Sequence, residues 1–221
     1  GGSGDVTVAY TKNLYEGLKE LTEPVHIFEE SADFYRENIR KQYAEKKSPG
    51  MTVEPELPEE LCKKARAFAD TAVISICRFS GEGWDRSSIE WDGEYNPWKT
   101  EPGTSMPAVS ARIFPKGDFY LTAEEEEMIE KVKTEFDRIV VVLNIGGIMD
   151  TSWIKKDEKL NGALLAWQGG MEGGLATAEL LLGKASPCGK LSDSFAAKVE
   201  DYLSTENFHE SFDYVNYTDD V

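Results

Sequence analysis

Thr71 to Arg86 reads TAVISICRFSGEGWDR and runs a short apolar segment straight into a carboxylate flanked by glycines. Ala72, Val73, Ile74, Ile76 and Cys77 form a run rich in β-branched residues without polar alternation, the pattern of a strand buried on both faces of a parallel sheet. In open α/β sheets ligands sit beyond the carboxyl ends of the strands. Ser80, Gly81, Glu82, Gly83, Trp84, Asp85 and Arg86 therefore fall where a site is expected, and Glu82 is the residue to explain.

Upstream of this stretch, Pro58 suits a first helical turn, and Leu61, Ala65, Phe68 and Ala69 share one helical face leading into the strand. Earlier still, Leu14, Leu18 and Leu21 predict a helix that Pro24 closes. A β-like Val25, His26, Ile27 and Phe28 follows it, a first αβ unit. Residues 31–47 predict a polar surface helix ended by Ser48, Pro49 and Gly50.

Downstream, residues 87–117 hold four prolines, three glycines and Trp91, Tyr95, Trp98 and Phe114 without any sustained period. A connection of that length is either a functional lid or a disordered insert, and the aromatics favour the lid. Thr122 and Glu125 form a capping-box pair, and Met128, Ile129, Val132 and Phe136 supply the apolar face of the helix they open. The acidic run from Glu124 to Glu127 sits at the positive end of that helix dipole and reads as structural.

A second buried strand is expected over Ile139 to Leu143 and a third over Gly162 to Trp167, with Trp167 in the core. The loops after them, Asn144-Ile145-Gly146-Gly147 and Gln168-Gly169-Gly170, are glycine-rich like the first. A helix over about 171–182, capped by Glu172, then stops at Gly183. The helix-strand alternation predicts an α/β domain with a doubly wound, mostly parallel sheet, helices on both faces, and all three loops at one edge. The domain is expected to span 1–198, with 199–221 an acidic tail or a connection to a missing domain.

Composition narrows the function classes. The 221 residues are 40% hydrophobic and 11% aromatic, enough for one large core or two modest ones. The formal net charge of -17, with Lys and Arg scattered, argues against a nucleic-acid partner. Cys62, Cys77 and Cys188 lack CxxC spacing, and the two in apolar patterns read as buried thiols of a reducing compartment, with a cytoplasmic location expected. His26 and His209 lie far apart, so no metal site is expected, and no apolar run of membrane-spanning length points to a membrane partner. Neither Gly81-Glu82-Gly83 nor Gly146-Gly147 completes GxGxxG, no GxxxxGK[ST] occurs, and a loop carboxylate would repel phosphate. No nucleotide or other cofactor is expected.

From spacing alone, Glu82 is either a carboxylate accepting backbone N–H bonds in a glycine turn or a group placed for proton transfer. Taken together, SGEGWDR, GDFYL at Gly117 to Leu121, VVVLNIGG, LLAWQGGMEGG and PCGKLSDSF resemble the second, α/β-sandwich domain of family 3 glycoside hydrolases, typified by bacterial β-glucosidases. The resemblance runs over nearly the whole chain in the family's order. It departs at Gly169 or Gly170, at Met171 and at Ser192, where the family commonly has Pro, Gln or Glu, and Pro, and these changes touch loop stiffness more than chemistry.

The resemblance implies that Glu82 is the general acid/base of a retaining β-glycosidase whose aspartate nucleophile lies on a (β/α)8 barrel. Such a barrel needs about 250 residues of its own and does not fit beside this domain in the chain. A β-glycoside substrate and that barrel are the implied partners, and the chain alone is expected to be an inactive fragment. Under this reading Trp84 either stacks on a sugar or packs beneath the insert. Asp85 and Arg86 are either an ion pair fixing the loop or sugar ligands, and Trp98 and Trp91 either line the cleft or anchor the lid. The alternative to an enzyme domain is a non-catalytic carbohydrate-binding or interdomain docking module.

Overall fold

A computed structural model describes residues 7–21, 25–45, 52–80 and 113–207. Within them the helices are α1 (Leu14–Glu20), α2 (Glu29–Ala44), α3 (Glu59–Phe68), α4 (Ala123–Glu135), α5 (Ser152–Lys155) and α6 (Gly173–Leu181). The strands are β1 (Ala72–Arg78), β2 (Ile139–Ile145) and β3 (Leu160–Leu165), and they form a parallel sheet in the order β1-β2-β3. The chain thus has the expected α/β fold, a parallel sheet with helices around it.

Register follows the side chains. Ile74 pairs with Val141 and Ile76 with Leu143, while Val141 and Leu143 pair in turn with Ala163 and Leu165. Paired residues of parallel strands point to the same face, so these positions build one apolar surface. The buried Met128, Ile129 and Val132 of α4, Phe136 just beyond it and Cys62 of α3 join that surface in a single core. The predicted capping box opens α4: Thr122 Oγ1 accepts from Glu125 N at 3.2 Å, and Glu125 Oε2 accepts from Thr122 N at 2.9 Å.

The expectation that β1 is buried on both faces is corrected. Ile74, Ile76 and Arg78 are buried, whereas Val73, Ser75 and Cys77 are exposed, Val73 by 46%. Among the described residues β1 is an edge strand, and the core forms on its inner face alone. The expected burial of Cys77 fails for the same reason, while Cys62 is buried, and all three cysteines are free thiols.

Val25 to Phe28 forms no strand. Phe28 instead leads into α2, and its ring meets Phe68 of α3 with centroids 5.6 Å apart, so aromatic packing takes the place of sheet pairing. Strand β3 ends at Leu165, short of the expected limit, because Trp167 has φ 54°, which breaks the extended backbone; its side chain is half-buried, not fully in the core.

Helix α6 ends as expected. Gly183 has φ 71°, its N–H reaches Leu180 O at 3.1 Å, and Lys184 N reaches Glu179 O at 2.9 Å, the paired bonds of a Schellman termination. At the other end Glu172 occupies the capping position without capping: its carboxylate accepts from the Tyr10 hydroxyl and, at 2.9 Å, from Lys12 Nζ. Those hydrogen bonds, Tyr10's first, lower the Glu172 pKa. The same region docks α1 against α6 by backbone approach. A Cβ at Gly174 would sit 2.1 Å from Asn13 O, and one at Gly17 would sit 2.4 Å from Gly174 C, so only hydrogen fits at either position. Beyond the domain limit expected at 198, Val199 is buried and residues 199–207 form two 3-10 turns, with the Tyr202 ring 6.3 Å from that of Phe119.

Candidate active site at the carboxyl edge of the sheet

Parallel pairing brings the carboxyl ends of all three strands to one edge, and the loops that leave them touch there. Ser80 Oγ donates to Gly146 O at 3.3 Å, and Gln168 Nε2 donates to Ser80 O at 3.3 Å. Gly146 lies between these two side chains: a Cβ on it would fall 2.3 Å from Ser80 Oγ and 2.7 Å from Gln168 Nε2. The left-handed backbone of Trp167 turns the chain from β3 into this contact, a conformation that costs on the order of 1–3 kcal/mol outside glycine and persists where its surroundings impose it. Its ring faces Phe195 at 6.4 Å.

Beside these loops is a cavity of about 370 Å³. Arg78 forms part of its wall and is itself buried, with 3% of the residue exposed. Its Nη1 and Nη2 each donate to an oxygen of Glu125 at 2.7 Å, a bidentate ion pair. The remaining donors reach backbone carbonyls: Nε to Asp118 O at 2.9 Å, Nη1 to Cys77 O at 2.7 Å and Nη2 to Tyr120 O at 2.9 Å. Five N–H groups meet five protein acceptors, so Arg78 has no donor left for an anionic ligand. The guanidinium also lies 4.7 Å from the centroid of the Phe114 ring. Among the described residues lining the cavity it is the one cation.

Glu54 lines the same cavity from a segment between α2 and α3. The Tyr35 hydroxyl donates to its Oε1 at 2.7 Å. Burial pushes the Glu54 carboxyl up to about 7, Tyr35's hydrogen bond opposes the rise, and the charge of Glu125 adds to it. The cavity therefore presents a carboxyl group that exchanges its proton near neutrality, together with Ser80, Asn144 and Gln168 as neutral polar groups. Such a lining suits a polar, uncharged ligand better than a phosphate. Among the described residues no three His, Cys, Asp or Glu side chains cluster as a metal site, and no helix is long and apolar enough to cross a membrane.

Glu82, Trp84, Asp85, Arg86, Trp91 and Trp98, singled out from the sequence, lie outside the described residues. The structure does describe the two points between which that stretch runs, Ser80 at the end of β1 and Ile113 and Phe114 at the cavity wall. Sequence reasoning missed Arg78, although its place two residues after Ile76 and four after Ile74 puts it on the inward side of a strand. It also missed Glu54, for which no local signal exists: Tyr35 lies 19 residues away on another element.

The whole sequence, residues 1–221, matches the family described as Glycosyl hydrolase family 3 C-terminal domain. Beta-glucosidase A of Butyrivibrio fibrisolvens is 52% identical over 221 residues, all of this chain and 26% of that protein. A beta-glucosidase of Ruminococcus albus is 31% identical over 95% of this chain and 20% of its own length. The chain thus spans about a quarter or less of these relatives. Among solved structures, a beta-glucosidase from Paenibacillus barengoltzii superposes with a TM-score of 0.74 at 28% identity, covering 95% of this chain and 21% of that one. Beta-glucosidase 3B of Thermotoga neapolitana, in complex with glycerol, gives 0.71 at 32% identity over 92% of this chain and 26% of that one.

Proposed function

Because this chain belongs to the glycosyl hydrolase family 3 C-terminal domain family, we propose that it is the acid/base-bearing domain of a retaining β-glucosidase-like enzyme. In this reading Glu82 protonates the leaving glycosidic oxygen and then deprotonates the water that releases the sugar. An aspartate on a (β/α)8 barrel elsewhere in the full-length protein, its carboxyl about 5 Å from that of Glu82, attacks the anomeric carbon. The observation that carries the reading is position. Glu82 follows the last residue of β1 by four places in the sequence, and the loops after β2 and β3 meet Ser80, two residues beyond that strand. Trp84 and Trp98 are assigned to stacking on the sugar, and Asp85 and Arg86 to its hydroxyls. The free thiols suit a reducing compartment such as a bacterial cytoplasm.

The test uses the full-length enzyme and aryl β-glycosides of graded leaving-group ability. Glu82→Gln is expected to lower kcat/KM about 100- to 10,000-fold for poor leaving groups and to spare activated ones, which need no proton. Equal losses for both classes would overturn the acid role. The chain alone is expected to fold without hydrolysing these substrates; turnover by the isolated chain that Glu82→Gln removes would refute the division of the site between two domains.

A further inference from the structure

We infer that residues 52–54 form a proton-operated latch on the cavity wall, closed while the Glu54 carboxyl keeps its proton and loosened once that carboxyl is charged. The latch goes beyond the acid/base role just proposed and does not depend on it. Residues 52–57 join α2 to α3 without regular structure, and side chains hold them in place. Val53 N donates to Gln42 Oε1 at 2.9 Å and Val53 O accepts from Gln42 Nε2 at 2.9 Å, so one buried amide of α2 stands in for a strand partner. Leu57 is buried in the core. Between these two anchors the Tyr35 hydroxyl of α2 donates to Glu54 Oε1 at 2.7 Å. The ties at Val53 and Leu57 are neutral at any pH, whereas the tie at Glu54 changes with the charge of its carboxyl.

Thr52, Val53 and Glu54 line the cavity together with Cys77 and Arg78 of β1 and Glu125 of α4. The Cys62 thiol of α3 acts on the Tyr35 end of the pair. Arg78 gives both of its Nη groups to Glu125 and its other donors to backbone carbonyls, so a charge on Glu54 meets the Glu125 carboxylate without a guanidinium donor in return. Lifting residues 52–54 off the wall returns that charge to water. Burial sets the range, since the Glu54 carboxyl is pushed up to about 7 from an ordinary 4.5. The closed form therefore holds the proton more tightly than the lifted form, and opening grows as pH rises from 4.5 to about 7 and then levels off.

The experiment is hydrogen exchange read by mass spectrometry on the full-length protein from pH 5 to pH 8, with rates corrected for the intrinsic pH dependence of amide exchange. Peptides covering residues 52–57 are compared with peptides covering β2, in the parent and in Glu54→Gln. Residues 52–57 are expected to be less protected than β2 at every pH, which marks a local opening. Their protection should fall about tenfold or more between pH 5 and pH 8 in the parent, and less than about threefold in Glu54→Gln. Protection equal to that of β2, a fall below about threefold in the parent, or the parent's fall persisting in Glu54→Gln would overturn the latch. Should Glu54→Gln fail to fold, Tyr35→Phe takes its place, because it removes the hydrogen bond that opposes the rise of the Glu54 carboxyl. The fall in protection should then extend to higher pH than in the parent, and a fall that ends at the same or lower pH would overturn the latch.

Discussion

One face of β1 carries Ile74, Ile76 and Arg78, all buried, and the other carries Val73, Ser75 and Cys77, all exposed. The inner face does two jobs in sequence along the strand: its first two side chains enter the core, and the third leaves the core to organise the sheet edge. The outer face does neither. Burial in this strand therefore depends on the side that α3 and α4 cover, and alternation decides which residues the fold and the site rely on.

Substitutions along β1 test that contrast. Arg78→Met should cost the most, about 3–5 kcal/mol in denaturant unfolding, because it strands the Glu125 carboxylate without its cation. A loss below about 1 kcal/mol would show that the pair is solvated and the edge is not rigidly held. Ile76→Ala should follow at about 2–5 kcal/mol, the range for emptying a fully buried aliphatic site, as Ile76 is 1% exposed.

A pH titration tests the carboxyl of Glu54 at the cavity wall. Among the described residues Glu125 pairs with a cation, whereas Glu54 accepts from the neutral Tyr35 hydroxyl and its carboxyl is pushed up to about 7 from an ordinary 4.5. A raised carboxyl means that the folded state holds the proton more tightly than the unfolded chain. Its stabilising contribution is fully present below pH 4.5 and is lost as pH rises through about 7. The loss is roughly 2–3 kcal/mol once partial exposure is allowed for. Glu54→Gln should flatten this part of the stability profile and make the variant more stable than the parent at pH 8. An unchanged slope would place Glu54 in water. The smallest effect belongs to the outer face: Val73→Ala should stay within about 0.5 kcal/mol, and a cost matching that of Ile76→Ala would abolish the one-sided description of β1.

Local signals in the sequence were legible where the physics is local. Thr122 and Glu125 cap α4 across three residues, Gly183 ends α6 within one turn, and the apolar runs of β2 and β3 mark strands whatever their neighbours are. Val25 to Phe28 misled because two β-branched residues look like a strand until a partner is sought, and Phe28 finds Phe68 instead. Glu172 misled in the same way, since its first-turn position suits capping, but Tyr10 and Lys12, brought in by the docking of α1, claim its oxygens. Of the candidate site, the meeting of the three loops at the carboxyl edge was readable in advance, whereas the charged scaffold beside it was not.

By itself the sequence determines the order and type of most elements, the edge at which the strand-end loops meet and the family, because each depends on residues close together in the chain or on motifs in a set order. Only the tertiary structure decides which face of β1 is buried, that Glu125 holds Arg78 as well as a helix start, that Glu54 keeps its proton near neutrality, and that Gly17 and Gly174 must lack side chains. Each of these is set by what a distant segment places within a few ångströms. Arg78 and Glu125 are 47 residues apart along the chain and 2.7 Å apart in the fold.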